Sequence, residues 1–172
     1  AALELAYADK PARDKVVENP DGGSDTVMTG LTHTLAANVE NLALTGQSSA
    51  RGTGNALDNA ITGNSGSNTL TGNAGNDVLN PGSAGTDVLR GGAGDDMLQG
   101  GTGNDRYLID SALDVVVEDV SGGTLDAVVS AIDNSLARYA NVEALVLQRG
   151  SAAWFGQGTG GANILVGNER DN

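Results

Sequence analysis

The amino-acid sequence predicts an all-β solenoid, in which the chain winds into flattened coils of short parallel strands. Three observations predict this fold. Glycine supplies 26 of the 172 residues, a nine-residue unit recurs, and a longer period of about a hundred residues encloses that unit. The chain has one Trp, one Phe and no Cys. Because this is thin material for a compact core and excludes disulfides, we expect another source of stability.

The nine-residue period is clearest in residues 63–108. Each unit starts with a glycine-rich turn and then places Asn or Asp two positions before an apolar residue, as in GGAGDDMLQ and GGTGNDRYL. Glycine adopts the backbone angles of such turns, and the polar-x-apolar triplet suits a very short strand. Two units therefore close a coil of eighteen residues, and residues eighteen apart lie one above the other. The polar positions of the five units are Asn68, Asp77, Asp87, Asp96 and Asp105.

The longer period repeats the sequence that flanks these units. DKVVENPDGGSDTV, residues 14–27, returns as DVVVEDVSGGTLDAVV, residues 114–129, and NVENLALTG returns as NVEALVLQRG. Alternating apolar residues favour strands here, although residues 136–147 could form a turn or two of helix. Tyr7 and Tyr107 hold equivalent inward positions, where we expect core residues. The polar-x-apolar triplet also occurs at Asp14, Asp25, Asn59, Asp114 and Asp126.

We therefore expect three segments that share one solenoid. Residues 1–62 are a first flank, residues 63–108 are the nonapeptide block, and residues 109–172 are a second flank. The second flank stops where its own glycine-rich stretch would begin, so we expect a longer polypeptide that contains this chain.

The net charge of -13 argues against a nucleic-acid partner and favours cations. No apolar run approaches the ~20 residues of a transmembrane segment. Burial of one inward apolar side chain in each unit does not offset the conformational entropy that is lost when nine residues become ordered. In addition, stacked aspartates repel one another. A hard divalent cation with oxygen ligands resolves both problems, and calcium accepts mixed carboxylate and carbonyl ligands more readily than magnesium does. We expect folding to be coupled to calcium binding, with a disordered calcium-free chain.

GGAGDDMLQ and GGTGNDRYL resemble the RTX nonapeptide GGxGxDxUx of hemolysin-type calcium-binding proteins. The flanks, with VVE, GGSDTV and NVENLALTG, are similar to the segments that separate nonapeptide blocks in long bacterial RTX proteins. The resemblance implies a parallel β-roll with calcium bound in the turns, each ion lying between loops eighteen residues apart. It pairs Asp87 with Asp105 and, across a one-residue insertion in PGSAGT, Asp77 with Asp96.

The resemblance also implies backbone carbonyl ligands. For the Asp77 and Asp96 site these are Asn73, Gly75, Gly91 and Ala93. For the Asp87 and Asp105 site they are Gly85, Gly100 and Thr102, with Gly82 and Ser83 both open as the fourth. A third site would join Asp96 to Asp114, with Gly92 and Gly94, although IDSALD departs from the glycine pattern. Asn68 and Asn59 present neutral amides, so their pairs with Asp87 and Asp77 should bind calcium more weakly.

The function implied by the resemblance is that of a calcium-dependent folding and spacer module without enzymatic activity. The parent would be a toxin, adhesin or extracellular enzyme, exported by a type I system and folded outside the cell. Two alternatives stay open: a carbohydrate-binding or accessory module of a polysaccharide-active enzyme, and an adhesin segment that binds a host surface or matrix. Trp154 and Phe155 could contact a sugar or a partner, but we expect them to pack beneath a loop.

Overall fold

A computed structural model describes residues 4–6, 16–20 and 22–170. Its strands form two parallel sheets, here called sheet A and sheet B. Sheet A contains, in spatial order, β1 (Glu4–Ala6), β2 (Thr26–Thr29), β4 (Asn41–Leu44), β6 (Ala60–Thr62), β8 (Val78–Asn80), β10 (Met97–Gln99) and β12 (Val115–Val117). Sheet B contains β3 (His33–Thr34), β5 (Arg51–Thr53), β7 (Thr69–Ala74), β9 (Val88–Ala93), β11 (Arg106–Ile109), β13 (Ala127–Ser130), β15 (Ala144–Leu147) and β17 (Ile164–Val166).

Two further strands, β14 (Asn134–Ser135) and β16 (Gly156–Gln157), pair with each other. A single turn of 3-10 helix, Leu136–Arg138, follows β14, and the Ser135 side chain caps it. This turn lies within the segment where the sequence allowed a turn or two of helix. No α-helix occurs in the described ranges, and no helix there has the length and apolar character needed to cross a membrane.

Consecutive strands from β2 to β13 alternate between the two sheets, so each coil contributes one strand to each. Every strand pair in the described ranges is parallel, and within the nonapeptide block the register follows the predicted period, whereas in the flanks the offset varies, as between Thr26 and Asn41. Val88 pairs with Arg106, eighteen residues later. Thr69 pairs with Val88, nineteen residues later, because the PGSAGT turn holds the one extra residue. The fold is therefore the predicted parallel β-roll, and the insertion is absorbed in a turn without shifting which residues face inward.

The core is a narrow column of inward side chains, with one or two from each of β2, β4, β6 to β13 and β15. The column includes, from sheet A, Val27, Leu42, Ile61, Leu79, Leu98 and Val116, and from sheet B, Leu70, Leu89, Tyr107, Val128 and Leu145. Outward neighbours such as Val78 and Met97 are 41% and 38% exposed, as period-two alternation requires. Tyr107 is a core residue, as predicted, whereas Tyr7 and Asp14 lie outside the described residues.

The prediction that Trp154 and Phe155 pack beneath a loop is wrong. Their side chains are 67% and 53% exposed. The reason is their place at the end of sheet B, beside β17, whose residues are themselves about half exposed. They line an open apolar groove with Leu165, and the Arg170 guanidinium lies 5.9 Å from the centre of the Trp154 ring.

Candidate metal centre

The polar residues of the triplets lie directly before the strands and form two rows, one along each sheet. Row A contains Asp25, Glu40, Asn59, Asp77, Asp96 and Asp114; row B contains Asn68, Asp87, Asp105, Asp126 and Glu143. Each Asp and Asn in these rows is at most 4% exposed. Each coil adds one residue to each row. The stacking of parallel strands thus brings together polar residues that are distant in the sequence.

Within a row, the backbone N–H of one member donates to the carboxylate of the member in the next coil. Asp77 N donates to Asp96 Oδ1 at 2.8 Å, and Asp87 N donates to Asp105 Oδ1 at 2.8 Å. Asp96 N donates to Asp114 Oδ1 at 3.1 Å. These are the three aspartate pairs that the sequence placed together.

The two amide-containing pairs are also in contact. Asn59 N donates to Asp77 Oδ1 at 2.8 Å, and Asn68 N donates to Asp87 Oδ1 at 2.5 Å. The geometry therefore joins every predicted pair through the same kind of hydrogen bond.

The second carboxylate oxygen is what distinguishes the aspartates. Oδ2 of Asp77, Asp96, Asp105 and Asp126 is buried and has no hydrogen-bond partner among the described residues. A buried carboxylate oxygen without a donor is strongly unfavourable, and it calls for either a proton or a cation. The donor set of carboxylate and carbonyl oxygens is the one that calcium prefers.

Burial raises the pKa of Asp77, Asp87 and Asp96 to about 6. The next carboxylate in the row adds to this rise, while the hydrogen bond from the preceding N–H opposes it. Burial also raises the pKa of Asp105. Without a cation, the rows therefore resist carrying their full negative charge.

Carbonyl oxygens from one turn face the glycines of the next. A Cβ added to Gly92 would overlap the Asn73 carbonyl oxygen, and one added to Gly94 would overlap the Gly75 carbonyl oxygen. A Cβ on Gly91 would overlap Asp96 Oδ2. A Cβ on Gly72 would overlap both Asp77 Oδ2 and the Gly91 carbonyl oxygen, so this predicted carbonyl lies close to a carboxylate of the row, in a turn whose close approach requires glycine.

Comparison with known families gives a direct match in this region. The family described as RTX calcium-binding nonapeptide repeat (4 copies) matches residues 53–83 and residues 81–108. Residues 53–108 are RTX calcium-binding repeats. The cation that fits their orphaned oxygens is accordingly Ca²⁺. Comparison with curated proteins and with solved structures gave no match.

At the second RTX pair, the two carbonyls that the sequence left open have different neighbours. The Gly82 carbonyl oxygen lies 2.5 Å from where a Cβ on Gly101 would stand. The Ser83 carbonyl instead accepts a hydrogen bond from the Thr102 hydroxyl. The Gly82 carbonyl faces the next turn, as the Asn73 carbonyl does in the first pair, and the prediction of Gly85, Gly100 and Thr102 with either Gly82 or Ser83 stays a prediction.

The carbonyl oxygen of Ala93, another predicted ligand, accepts a 3.1 Å hydrogen bond from Gly75 N. Both carboxylate oxygens of Asp114 accept hydrogen bonds from the protein. Its Oδ2 accepts from the N–H groups of Asp110 and Ser111, at 3.1 and 3.0 Å, while its Oδ1 accepts from Asp96. The IDSALD loop thus satisfies both oxygens of Asp114 with protein donors, so the third predicted site has less need of an ion.

The asparagines of the rows are satisfied in the same way. Asn59 Oδ1 accepts from Asn55 N at 2.7 Å, and Asn68 Oδ1 accepts from Asn64 N at 2.8 Å. The amide nitrogen of each also donates to a neighbouring oxygen. Each amide oxygen thus accepts a hydrogen bond from its own turn. Because it is neutral and already has a donor, the expectation of weaker calcium binding at these pairs stays in place.

Sequence reasoning missed two members of the rows, Glu40 and Glu143. Asp25 N donates to Glu40 Oε2 at 2.8 Å, and Asp126 N donates to Glu143 Oε2 at 2.9 Å. The signal was present, since Glu-x-Leu in NVENL and NVEAL is the same polar-x-apolar triplet. It was overlooked because the triplet was sought with Asn and Asp alone.

Proposed function

We propose that this chain is a calcium-dependent folding and spacer module of a larger secreted RTX protein. The observation that carries the proposal is the set of buried Oδ2 atoms without partners, stacked in register in the RTX repeats. A chain with such carboxylates is poorly stable until calcium reaches them. Calcium then supplies the energy that the narrow column of core residues lacks.

The proposed sites are Asp77 with Asp96 and Asp87 with Asp105, completed by the carbonyl oxygens described above. The pair of Asp96 with Asp114 and the pairs that contain Asn59 and Asn68 are proposed as weaker sites. Both flanks belong to the same module, because β6 and β13 pair with strands of the nonapeptide block. Residues 1–62, 63–108 and 109–172 are thus proposed as one folding unit.

Location follows from the calcium requirement. RTX repeats occur in secreted proteins, and a module that needs calcium stays unfolded where calcium is scarce. We propose type I export of the unfolded chain from a low-calcium cytosol, followed by folding outside. In this role the module acts by structure, without an enzymatic reaction.

The midpoint of calcium-dependent folding tests this proposal. Extracellular calcium modules bind at about 10⁻⁴ to 10⁻³ M, so we expect the midpoint in that range at physiological salt. A midpoint below about 10⁻⁶ M would mean folding before export, and it would contradict the proposed role.

A second candidate function is glycan binding, and the exposure of Trp154 and Phe155 favours it. Exposed aromatic rings beside an apolar groove offer a face on which a sugar ring can stack. Binding of soluble polysaccharides to calcium-loaded protein, compared with Trp154→Ala, tests this function. Equal retention of both proteins would contradict glycan binding at Trp154, and the spacer role would remain as the proposed function.

A further inference from the structure

We propose that Asp105, Glu118 and Asp126 form an additional divalent-cation site at the C-terminal end of the nonapeptide block, with calcium as its ion. This site goes beyond the repeat sites, since Glu118 and Asp126 lie outside the RTX match. It is built from three carboxylates, whereas each repeat site pairs two aspartates with carbonyl oxygens.

The distances fit a single ion. One carboxylate oxygen from each of the three residues lies within 4.8 Å of the others. Calcium binds oxygen at about 2.4 Å, so two ligands of one ion are at most about 4.8 Å apart. All three side chains are buried, with Asp105 and Asp126 fully so and Glu118 7% exposed.

Orphaned oxygens point to a ligand independently of the clustering. Oδ2 of Asp105 and Oδ2 of Asp126 are buried without a hydrogen-bond partner among the described residues. Their Oδ1 atoms are already used, accepting from Asp87 N and Asp105 N, respectively. In the described part of the chain, no Lys or Arg forms a salt bridge with any of the three carboxylates.

The local sequence explains how Glu118 enters the core. It lies eighteen residues after Gly100, so it occupies the position of the first glycine of a nonapeptide. A Cβ on Gly100 would overlap Glu118 Oε2, and a Cβ on Gly122 would overlap Glu118 Oε1. The two glycines therefore leave the volume that the longer side chain fills.

Backbone and hydroxyl donors hold the Glu118 carboxylate in place. Asp119 N donates to Oε1 at 3.0 Å, and the buried Tyr107 hydroxyl donates to Oε2. The coil is longer here, because Arg106 pairs with Ala127, twenty-one residues later. The added length accommodates a turn after β12, in which Gly122 N donates to the Asp119 carbonyl oxygen at 2.8 Å.

Three carboxylates give this site a higher affinity than the repeat sites, because calcium affinity rises with the number of charged ligands. It therefore fills first as calcium rises. Because the site lies at the end of the block, folding of the preceding coils starts from it.

Calcium binding to Glu118→Gln tests the site, with Asp119→Asn as the matched control. Both substitutions remove one negative charge, but the Asp119 side chain is exposed. Equilibrium dialysis of the full chain should give one bound calcium fewer for E118Q, and the first binding step should weaken by about tenfold or more. D119N should match the unsubstituted protein.

Equal stoichiometry and affinity for E118Q and D119N would overturn the site, leaving the repeat sites intact, and would indicate that protons neutralise the cluster. If the unsubstituted protein bound no calcium, the proposed function would fail as well. A second measurement does not depend on how E118Q folds. Terbium added at one ion per chain should luminesce through Tyr107, and Tyr107→Phe should lose that emission. Equal emission from both proteins would place the first ion elsewhere and contradict the proposal.

Discussion

The backbone N–H of Asp77 donates a 2.8 Å hydrogen bond to Oδ1 of Asp96, while Oδ2 of the same carboxylate is buried without a partner. One oxygen thus joins two coils, and the other is available to an ion. The same arrangement occurs between Asp87 and Asp105 in the second row. Structure and calcium binding therefore depend on the same side chains.

Substitution of Asp96 by Ala should weaken more than one site. Asp96 accepts from Asp77 on one side and donates to Asp114 on the other, so its loss affects two neighbouring coils. We expect the calcium midpoint of folding to rise by about tenfold or more, measured by far-ultraviolet circular dichroism. Asp95→Ala, which removes an exposed neighbouring carboxylate, should leave the midpoint nearly unchanged. Equal midpoints for D96A and D95A would contradict the stacked assignment.

The calcium-free protein should become less stable as pH rises. Burial raises the pKa of Asp77, Asp87 and Asp96 from 3.8 to about 6. Between these values the folded state binds more protons than the unfolded state, so raising the pH favours unfolding. Far-ultraviolet circular dichroism of the calcium-free protein should therefore show more β structure at about pH 4.5 than at about pH 7.5.

With saturating calcium, the trend should reverse over the same range, because protons then compete with the bound ion. A β signal that is the same at both pH values in the calcium-free protein would contradict the raised pKa values of these carboxylates.

Gly91→Ala should disturb the site directly. The added methyl group would overlap Asp96 Oδ2, and such overpacking costs about 1 to 3 kcal/mol. We expect lower stability in saturating calcium and a higher calcium midpoint. Gly160→Ala is the control, because a Cβ there has no neighbour within 4 Å. Similar losses in both variants would mean that the effect comes from the unfolded chain.

The core column makes a separate prediction. Leu98 is fully buried, whereas the adjacent Met97 is 38% exposed. Leu98→Ala should lower the free energy of unfolding in saturating calcium by about 2 to 5 kcal/mol. Met97→Ala should cost much less. Comparable losses of unfolding free energy in the two variants would contradict the inward position of Leu98.

Much of the fold follows from the nine-residue spacing, because a fixed period fixes which residues stack. The spacing predicted the inward position of Tyr107, and the resemblance to the RTX nonapeptide implied the pairing of Asp77 with Asp96. The one-residue insertion before Asp87 was also readable, and the nineteen-residue register of Thr69 with Val88 accommodates it.

Other features depend on contacts that the period does not encode. Glu118 enters a carboxylate cluster because Gly100 and Gly122 leave room for it. Oδ2 of Asp114 accepts hydrogen bonds from the backbone N–H groups of Asp110 and Ser111. The nine-residue pattern does not predict this local turn. The exposure of Trp154 depends on its position beside β17 at the end of sheet B, and the sequence around Trp154 does not specify that position.

The central claim is that calcium replaces a conventional core, and a calcium titration of chelator-treated protein tests it most directly. Far-ultraviolet circular dichroism should show a cooperative gain of β structure with calcium, and magnesium at the same concentration should produce little change. A chain that already has its full β signal in chelator would contradict the claim, because the glycine-rich turns and the leucine column would then suffice without an ion.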